Sequence, residues 1–352
     1  MSAVSGALHV VTASQRRGAE VFASDLVSAL GSGRLVALTE GPGGNELGVP
    51  ILGDTPFAPR TLRSLRREAR DASVVVAHGS KTLPAVALAL AGLRVPFVYR
   101  SIGDPAAWSG SGLRRLRTAR LLRRAARVVA LWPGAAGTLS SLHGVPESRL
   151  SVIPNGVPAA RCPLADAADR KAARVAFGLP EDAPVVTYLG ALTPEKSVDT
   201  AIAAVAALPL DVRLLVAGSG PLRASLGVFA AGTAPGQVHF AGRVDGPQKA
   251  LAAADVVILP SRTEGMPGVL IEAGLTGRPA VASEVGGIPE IVIPGSTGAL
   301  AAPADVTAFA SALRTTLSSA SEWGQAAHDH CSKTFEISVV ATQWSALLDD
   351  LR

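Results

Sequence analysis

The stretch DVVILPSRTEGMPGVLIEAGLTGRPAVAS, residues 255–283, contains the pattern that decides the fold. An apolar run, 256–260, predicts a buried strand, and the loop that follows it holds Glu264 and Gly265. We expect a helix to begin near Pro267, because the fixed φ of proline suits the first helical position. A buried strand that leads through a glycine loop into a helix is the repeating unit of a parallel α/β sheet.

The same pattern recurs along the chain. Short apolar runs followed by helix-compatible sequence predict strands at 9–13, 34–39, 73–78, 96–100, 127–132 and 150–154 in the first half, and at 184–190, 212–218, 238–242, 255–260, 279–283 and 297–301 in the second. A proline-rich segment without periodicity, 154–171, separates the halves as a linker. The predicted fold is therefore α/β, with two doubly wound domains whose ligands bind outside the carboxyl ends of the strands.

Composition places the chain among globular proteins with large cores. Of its 352 residues, 48% are hydrophobic and 17% are charged, which excludes a disordered chain. Cys162 and Cys331 form no disulfide framework or metal-ligand spacing, the N-terminus lacks the pattern of a signal peptide, and the longest apolar stretch, 82–93, is too short to span a bilayer. We therefore expect a soluble, cytoplasmic protein, and the abundance of Ala and Arg indicates a bacterial source.

The net charge of +5 is unevenly distributed, because residues 60–127 carry a local excess of positive charge. Such a region favours an anionic partner, such as a phosphorylated acceptor, a membrane surface or nucleic acid. The arginine-rich stretch 113–127 predicts a solvated helix face, with a peripheral membrane contact as the alternative. Because that stretch contains no aromatic residue on which bases stack, we expect no nucleic-acid binding.

The loop and helix start of residues 255–283 are suited to a nucleotide sugar. Free N–H groups of Met266, Gly268 and Val269, together with the helix dipole, form an anion-binding end. Glu272 lies four residues after Gly268 on the same helical face, where its carboxylate can accept hydrogen bonds from vicinal hydroxyls. With Glu264, the segment offers carboxylates on both sides of a diphosphate. The alternative is an ordinary strand–helix unit with two solvated glutamates.

Three other strand ends of the second half carry related features. Lys196 follows a strand at the start of a helix, where it can reach a phosphate; a surface lysine is the alternative. The segment AGSGPL, 217–222, forms a tight glycine turn that lacks the third glycine and the acid of a dinucleotide fingerprint. FAGRV, 240–244, ends another strand at the same edge.

From Val152 to Leu300 the chain resembles the retaining family-4 glycosyltransferases of GT-B fold. The matching stretches, in order, are VIPNGV, YLGALTPEKSVDTAIAA, LLVAGSGPLRASL, VHFAGRV, ADVVILPSRTEGMPGVLIEAGLTGRPAVAS, VGGIPEIV and TGAL. The first half is similar more loosely, through RRGAE, AHGS and YRSIGD. The resemblance implies two Rossmann-like domains facing a central cleft: an acceptor-side domain of residues 1–158 plus 336–352, and a donor-binding domain of residues 159–335. The tail joins the first domain because the last helix crosses back in GT-B proteins.

The resemblance also implies roles at matching positions. Glu272 would hold the ribose of the donor, Glu264 would contact the transferred sugar, and Lys196 would bind phosphate. The base would be recognised at Arg243 and Val244. The remaining donor-binding positions are in the glycine loop of the first domain and in the 264–272 segment: Gly18, Gly265, Met266, Gly268 and Val269.

Two positions depart from the family pattern. A basic residue often follows the strand-end glycine in the family, and here that residue is Ala191. Either diphosphate binding is weaker, or an arginine from elsewhere works with the lysine: Arg17, Arg100 or Arg262. The first-domain loop of the family usually carries paired glycines, the first of which is Arg17 here.

The two glutamates also fit a glycosidase pattern, which we reject because Glu272 would face the ribose and not the anomeric carbon. The resemblance implies transfer of a hexose-type sugar with retention, from a UDP- or GDP-sugar, in which the donor phosphate accepts the acceptor proton on the front face. The protein would position the substrates and stabilise the departing diphosphate. No Asp-x-Asp sequence occurs, so we expect no metal, and no cofactor other than the nucleotide-sugar co-substrate.

Candidates in the first half lie at strand ends. His78 follows the strand 73–77, and Arg100 and Asp104 follow the next one; we expect contacts with acceptor or donor sugar, a structural role being the alternative. His78 and Asp104 join Glu264 and Lys196 as the predicted catalytic set. Two other functions stay open: a membrane-associated transferase acting on a lipid or cell-wall acceptor, and a non-catalytic nucleotide-sugar binder.

Overall fold

The computed structural model of the protein describes residues 6–108 and 112–351. The chain forms two compact units. One runs to Gly156 and resumes at Ile337, and the other spans Val157–Glu336. Within the described ranges, no helix is long and apolar enough to cross a membrane.

The first unit is built on a six-stranded parallel sheet in the order β2-β1-β3-β4-β5-β6. Its central strands are buried on both faces because helices cover the sheet on each side, as the continuous Val-rich runs predict. The strands are β1 Leu8–Ala13, β2 Arg34–Thr39, β3 Val75–His78, β4 Phe97–Arg100, β5 Arg127–Ala130 and β6 Leu150–Val152. The helices are α1 Gly18–Leu30, α2 Pro59–Arg70, α3 Thr82–Ala89, α4 Pro105–Trp108, α5 Gly112–Leu122 and α6 Pro133–His143, with a 3₁₀ turn at Glu147–Arg149.

The second unit repeats this architecture with strand order β12-β11-β10-β7-β8-β9, again parallel throughout. Its strands are β7 Val185–Leu189, β8 Arg213–Ala217, β9 Val238–Gly242, β10 Val256–Leu259, β11 Ala280–Ser283 and β12 Gly298–Ala301. Its helices are α7 Ala167–Ala176, α8 Val198–Ala206, α9 Arg223–Thr233, α10 Gln248–Ala253, α11 Gly268–Leu275, α12 Val306–Ser318 and α13 Ala320–Thr334. Short 3₁₀ turns occur at Ala159–Arg161, Pro194–Lys196 and Ile288–Glu290. The two sheets therefore have the predicted doubly wound α/β form.

The last helix, α14 Ile337–Asp349, packs in the core of the first unit. Val340 and the fully buried Trp344 share one apolar cluster with Phe22 and Leu26 of α1 and with Val76 of β3. The amphipathic tail thus covers the sheet of the unit that contains the N-terminal half of the chain.

Candidate functional site

Three strands of the second unit end side by side. The N–H of Gly218, just after β8, donates to the carbonyl of Gly242 at the end of β9, at 2.7 Å, and the N–H of Gly190, after β7, donates to Ala217, at 3.0 Å. A Cβ atom at Gly218 would lie 1.8 Å from the Gly190 carbonyl oxygen, and φ there is +146°. Only glycine allows this close approach, which brings the loops after β7 and β8 to one edge of the sheet.

The loop after β10 lies at the same edge and is held by a second glycine pair. The N–H of Gly287 donates to the carbonyl of Gly265 at 2.6 Å. A Cβ atom at Gly286, where φ is +58°, would stand 2.2 Å from the Glu264 carbonyl oxygen. The loop that carries Glu264 is therefore fixed through its backbone, which leaves its side chain available to other partners.

The two central residues of the predicted site meet here. Lys196 closes the 3₁₀ turn after β7, and its Nζ lies 2.6 Å from Oε1 of Glu264. The lysine side chain is 25% exposed and the glutamate side chain 9% exposed, so the pair lies at the protein surface but is partly shielded from water. The fold thus places the ammonium group of Lys196 beside the Glu264 carboxylate in a partly exposed position.

Helix α11, whose start we predict to bind an anion, begins one residue later than predicted. Pro267 is extended, with φ −75° and ψ 120°, and Gly268 is the first helical residue of α11. Because the proline ring fixes φ close to this value, Pro267 fits the extended position just before the helix. A Cβ atom at Gly268 would meet nothing within 4 Å, so a ligand can approach this turn closely. Val269 is half-buried, and the side chain of Met266 is buried.

Glu272 lies one turn into α11 and is half-buried. Burial, together with the charge of Glu272, raises the pKa of the Cys162 thiol to about 12. Arg243, after β9, is exposed, whereas Val244 packs against the apolar cluster beneath β8. The side chain of Val244 therefore contributes to the core of the second unit.

The candidates of the first unit are more buried than the sequence indicates. His78 is only 2% exposed, and its Nε2 lies 3.1 Å from Nδ1 of His9. Arg100 is fully buried; it contacts Asn155 through Nη2, lies 3.4 Å from Nδ1 of His78, and stacks on Phe22 with Cζ 3.9 Å from the ring centre. Burial lowers the pKa of His9 to about 3 and also lowers the pKa of His78, with the Arg100 charge acting in the same direction.

A cavity of about 360 Å³ lies at the carboxyl ends of β1, β3 and β4 in this unit. His78 reaches its wall, beside Arg17, Glu20 and Lys81, whereas the guanidinium of Arg100 is enclosed by protein. We therefore correct the expectation that Arg100 is available to a ligand: its guanidinium stacks on Phe22 and contacts Asn155 inside the protein, and burial lowers the pKa of Arg100 to about 9.

Asp104 and Gly18 occupy helix starts. Oδ1 of Asp104 accepts a hydrogen bond from the N–H of Ala106, at 2.9 Å, so its carboxylate caps α4. Gly18 is the first residue of α1, follows Arg17, and has open space around its Cα. A helix-capping role accounts for Asp104 without any ligand.

Sequence reasoning missed two supports of the site in the second unit. One is the Gly286–Gly287 pair after β11. Its role depends on the close approach of the loop that carries Glu264, which the sequence does not show. The other is Ser197, whose backbone is left-handed, with φ 45° and ψ 48°, and whose hydroxyl accepts from Nε of Arg262 at 2.9 Å. Nothing in the local sequence around Ser197 indicates that conformation.

Two sheets of this order, each with flanking helices, define the GT-B architecture, and solved structures bear this out. The crystal structure of Anabaena HepE in complex with UDP-glucose superposes with a TM-score of 0.86, covering 98% of this chain and 99% of HepE at 21% identity. The protein thus has the GT-B glycosyltransferase fold.

The sequence comparisons identify the family. Residues 6–161 match the model described as Glycosyltransferase Family 4, and residues 183–319 match that described as Glycosyl transferases group 1. The chain belongs to glycosyltransferase family 4. It is 32% identical over 235 residues to the D-inositol 3-phosphate glycosyltransferase of Mycolicibacterium gilvum, covering 62% of this chain and 51% of that protein. The enzyme of the same name from Mycobacterium bovis is 34% identical over 215 residues, 57% of this chain and 43% of its own. The chain spans about half the length of these curated relatives.

Proposed function

We propose that this protein is a retaining glycosyltransferase that moves a hexose from a UDP- or GDP-sugar to a hydroxyl group of an acceptor. The observation that carries the proposal is the grouping of Lys196, Glu264 and the open first turn of α11 at one sheet edge. A cation and a helix N-terminus can bind the diphosphate of a nucleotide sugar, and carboxylates can accept hydrogen bonds from its hydroxyl groups.

In the proposed reaction the donor diphosphate lies against the first turn of α11, and Glu272 accepts hydrogen bonds from the ribose. Lys196 releases Glu264 when phosphate binds, which frees that carboxylate to contact the transferred sugar. The acceptor hydroxyl attacks on the face from which the diphosphate leaves and gives its proton to a phosphate oxygen. The new glycosidic bond replaces the bond to phosphate, and the protein stabilises the departing negative charge. No step in this scheme calls for a metal.

The acceptor is proposed from the relatives and from the first unit. The curated relatives are named for a phosphorylated polyol. The cavity beside His78 has Arg17 and Lys81 in its wall, two cations to one carboxylate, Glu20. Burial raises the pKa of Glu20, so its charged form is less favourable than that of an exposed glutamate. We propose a polyol acceptor that carries an anionic group.

The donor assignment is tested by calorimetric titration of UDP, GDP and their 2′-deoxy forms. Loss of charge-assisted hydrogen bonds, about 1.5–3 kcal/mol, makes Glu272→Ala bind the preferred nucleotide about 10- to 100-fold more weakly. The wild type discriminates against the 2′-deoxy form, and the variant does so less. Glu322→Ala, which removes an exposed glutamate on α13, serves as the matched control. Unchanged affinity in Glu272→Ala would contradict the ribose contact, and donor binding without nucleotide release for any acceptor or water would favour a non-catalytic binder.

A membrane-associated transferase is the second candidate, favoured by one observation. Helix α5 exposes Leu113 and Leu116, at 87% and 57%, between exposed arginines. Such a surface suits an anionic bilayer. Co-sedimentation with vesicles of anionic lipid, lost in Arg123→Glu/Arg124→Glu, would establish this candidate; no co-sedimentation at low salt would exclude it.

A further inference from the structure

Arg262 lies on the loop between β10 and α11 and is tied to the loop that carries Lys196. Its backbone N–H donates to the carbonyl of Glu195 at 2.8 Å, and its Nε donates to the hydroxyl of Ser197 at 2.9 Å. The two contacts are made to the residues on either side of Lys196. The side chain of Arg262 is nevertheless exposed.

Ser197 holds this arrangement at a conformational cost. It is one of two non-glycine residues with positive φ among those described, and it is only 2% exposed. Serine at the start of a helix usually caps the first turn, but Ser197 makes no side-chain cap to α8. A buried residue in the left-handed region persists where its surroundings over-determine it, as happens at binding sites. The Ser197 hydroxyl, which does not cap α8, instead accepts the hydrogen bond that orients Arg262.

The guanidinium of Arg262 is held in place by Ser197, but no carboxylate of the described residues neutralises its charge. Nε is occupied by Ser197, and Arg262 forms no ion pair with any carboxylate of residues 6–108 and 112–351. Its Nη groups remain for a ligand. Lys196, which precedes Ser197 in the chain, is paired with Glu264, so of the two cations only Arg262 lacks an ion pair with a described carboxylate.

We propose that Arg262, oriented by Ser197, is the second cation that binds the diphosphate of the nucleotide sugar, in place of the basic residue that is absent at Ala191. This inference rests on the proposed function. Arg100 is ruled out by its complete burial, and Arg17 lies in the wall of the cavity for which we propose an anionic acceptor. A planar guanidinium held by Nε offers two parallel donors, which match two phosphate oxygens.

The test compares Arg262→Gln with Arg314→Gln by calorimetric titration. Arg314 is a matched control: it is on α12 of the same unit and likewise makes one side-chain hydrogen bond, to the Ala207 carbonyl. The ligands are whichever of UDP and GDP the wild type binds better, and the corresponding nucleoside followed by ligand-observed NMR. Arg262→Gln is expected to bind the nucleoside diphosphate about tenfold more weakly, with nucleoside binding and Arg314→Gln both unchanged.

Ser197→Gly separates positioning from backbone structure, because glycine adopts the left-handed conformation without strain but has no hydroxyl. We expect it to be as stable as the wild type and to lose diphosphate affinity, with a smaller decrease than Arg262→Gln. Wild-type diphosphate affinity in Arg262→Gln, or an equal loss for the nucleoside, would overturn the inference, and wild-type affinity in Ser197→Gly would overturn the role of Ser197. A wild-type protein that binds neither nucleotide would overturn the proposed function itself.

Discussion

Replacing Asp255 by Asn tests how the amino ends of the central strands β7 and β10 are held together. Arg174 is 1% exposed at its side chain, and its Nη2 lies 2.7 Å from Oδ2 of Asp255. The same oxygen accepts from the N–H of Val185, the first residue of β7, at 2.7 Å, and Arg170 contacts the other oxygen at 2.9 Å. Burial lowers the pKa of Arg174, and the Asp255 charge opposes that effect.

The expected loss follows from the burial of the pair. The Asp255→Asn substitution would remove the carboxylate that contacts the buried guanidinium of Arg174, and the loss of one partner of a buried pair costs about 3–5 kcal/mol. Three backbone carbonyls, of Ala253, Glu181 and Ala183, still accept from Arg174, so we expect the lower end of that range, about 3 kcal/mol. This is a large part of the stability of a typical domain.

Hydrogen exchange under increasing urea is the suitable assay, because it reports each unit separately. Amides of β7 and β10 should lose protection in Asp255→Asn at lower urea, while amides of the first unit stay unchanged. Glu181→Gln is the matched control, since its pair with Lys171 joins two side chains, of which the lysine is 62% and the glutamate 54% exposed. The reasoning would be refuted if Asp255→Asn destabilised the second unit no more than Glu181→Gln does.

Three further outcomes are expected. Burial and the charge of Arg100 lower the pKa of His9 from 6.5 to about 3, so the folded state holds a neutral ring. The free energy of unfolding therefore falls as pH drops from about 6.5 toward 3. At pH 5 this amounts to about 2 kcal/mol, and urea unfolding of His9→Gln should show a smaller difference between pH 7.5 and pH 5 than the wild type. Trp344→Ala, which opens a cavity under α14, should lower the free energy of unfolding of the first unit by about 3–5 kcal/mol; a change below about 1 kcal/mol would contradict the packing. Lys196→Ala should reduce the rate of sugar transfer in single-turnover experiments about tenfold or more and weaken nucleotide binding less, because charge on the departing diphosphate is greatest in the transition state; equal effects on both would argue against that role.

Much of the second unit could be predicted because its signals are local. Apolar runs predict β10, and the proline before α11 predicts the helix start to within one residue. The left-handed Ser197 and the pairing of Gly286 with the Glu264 carbonyl could not be predicted, since both depend on contacts with a loop from another part of the chain.

The first half was harder to interpret because a polar residue at a strand end faces either a ligand or the core. The pattern at His78 and Arg100 is the same for both, and the structure shows a stacked pair of histidines and an arginine enclosed against Phe22. The burial of Arg100 depends on neighbours from β3, α1 and the segment before Val157, which sequence periodicity does not describe.

By itself the sequence determined the alternation of strands and helices, the family, and the segment in which Glu264 and Glu272 flank the turn that we predict to bind an anion. These depend on side-chain periodicity and on the backbone chemistry of proline and glycine, which act over a few residues. Only the tertiary structure decided that Lys196 pairs with Glu264, 68 residues away, and that Arg262 is oriented by Ser197, 65 residues away. Contacts at such separations are set by the order in which parallel strands assemble, and that order is a property of the whole sheet.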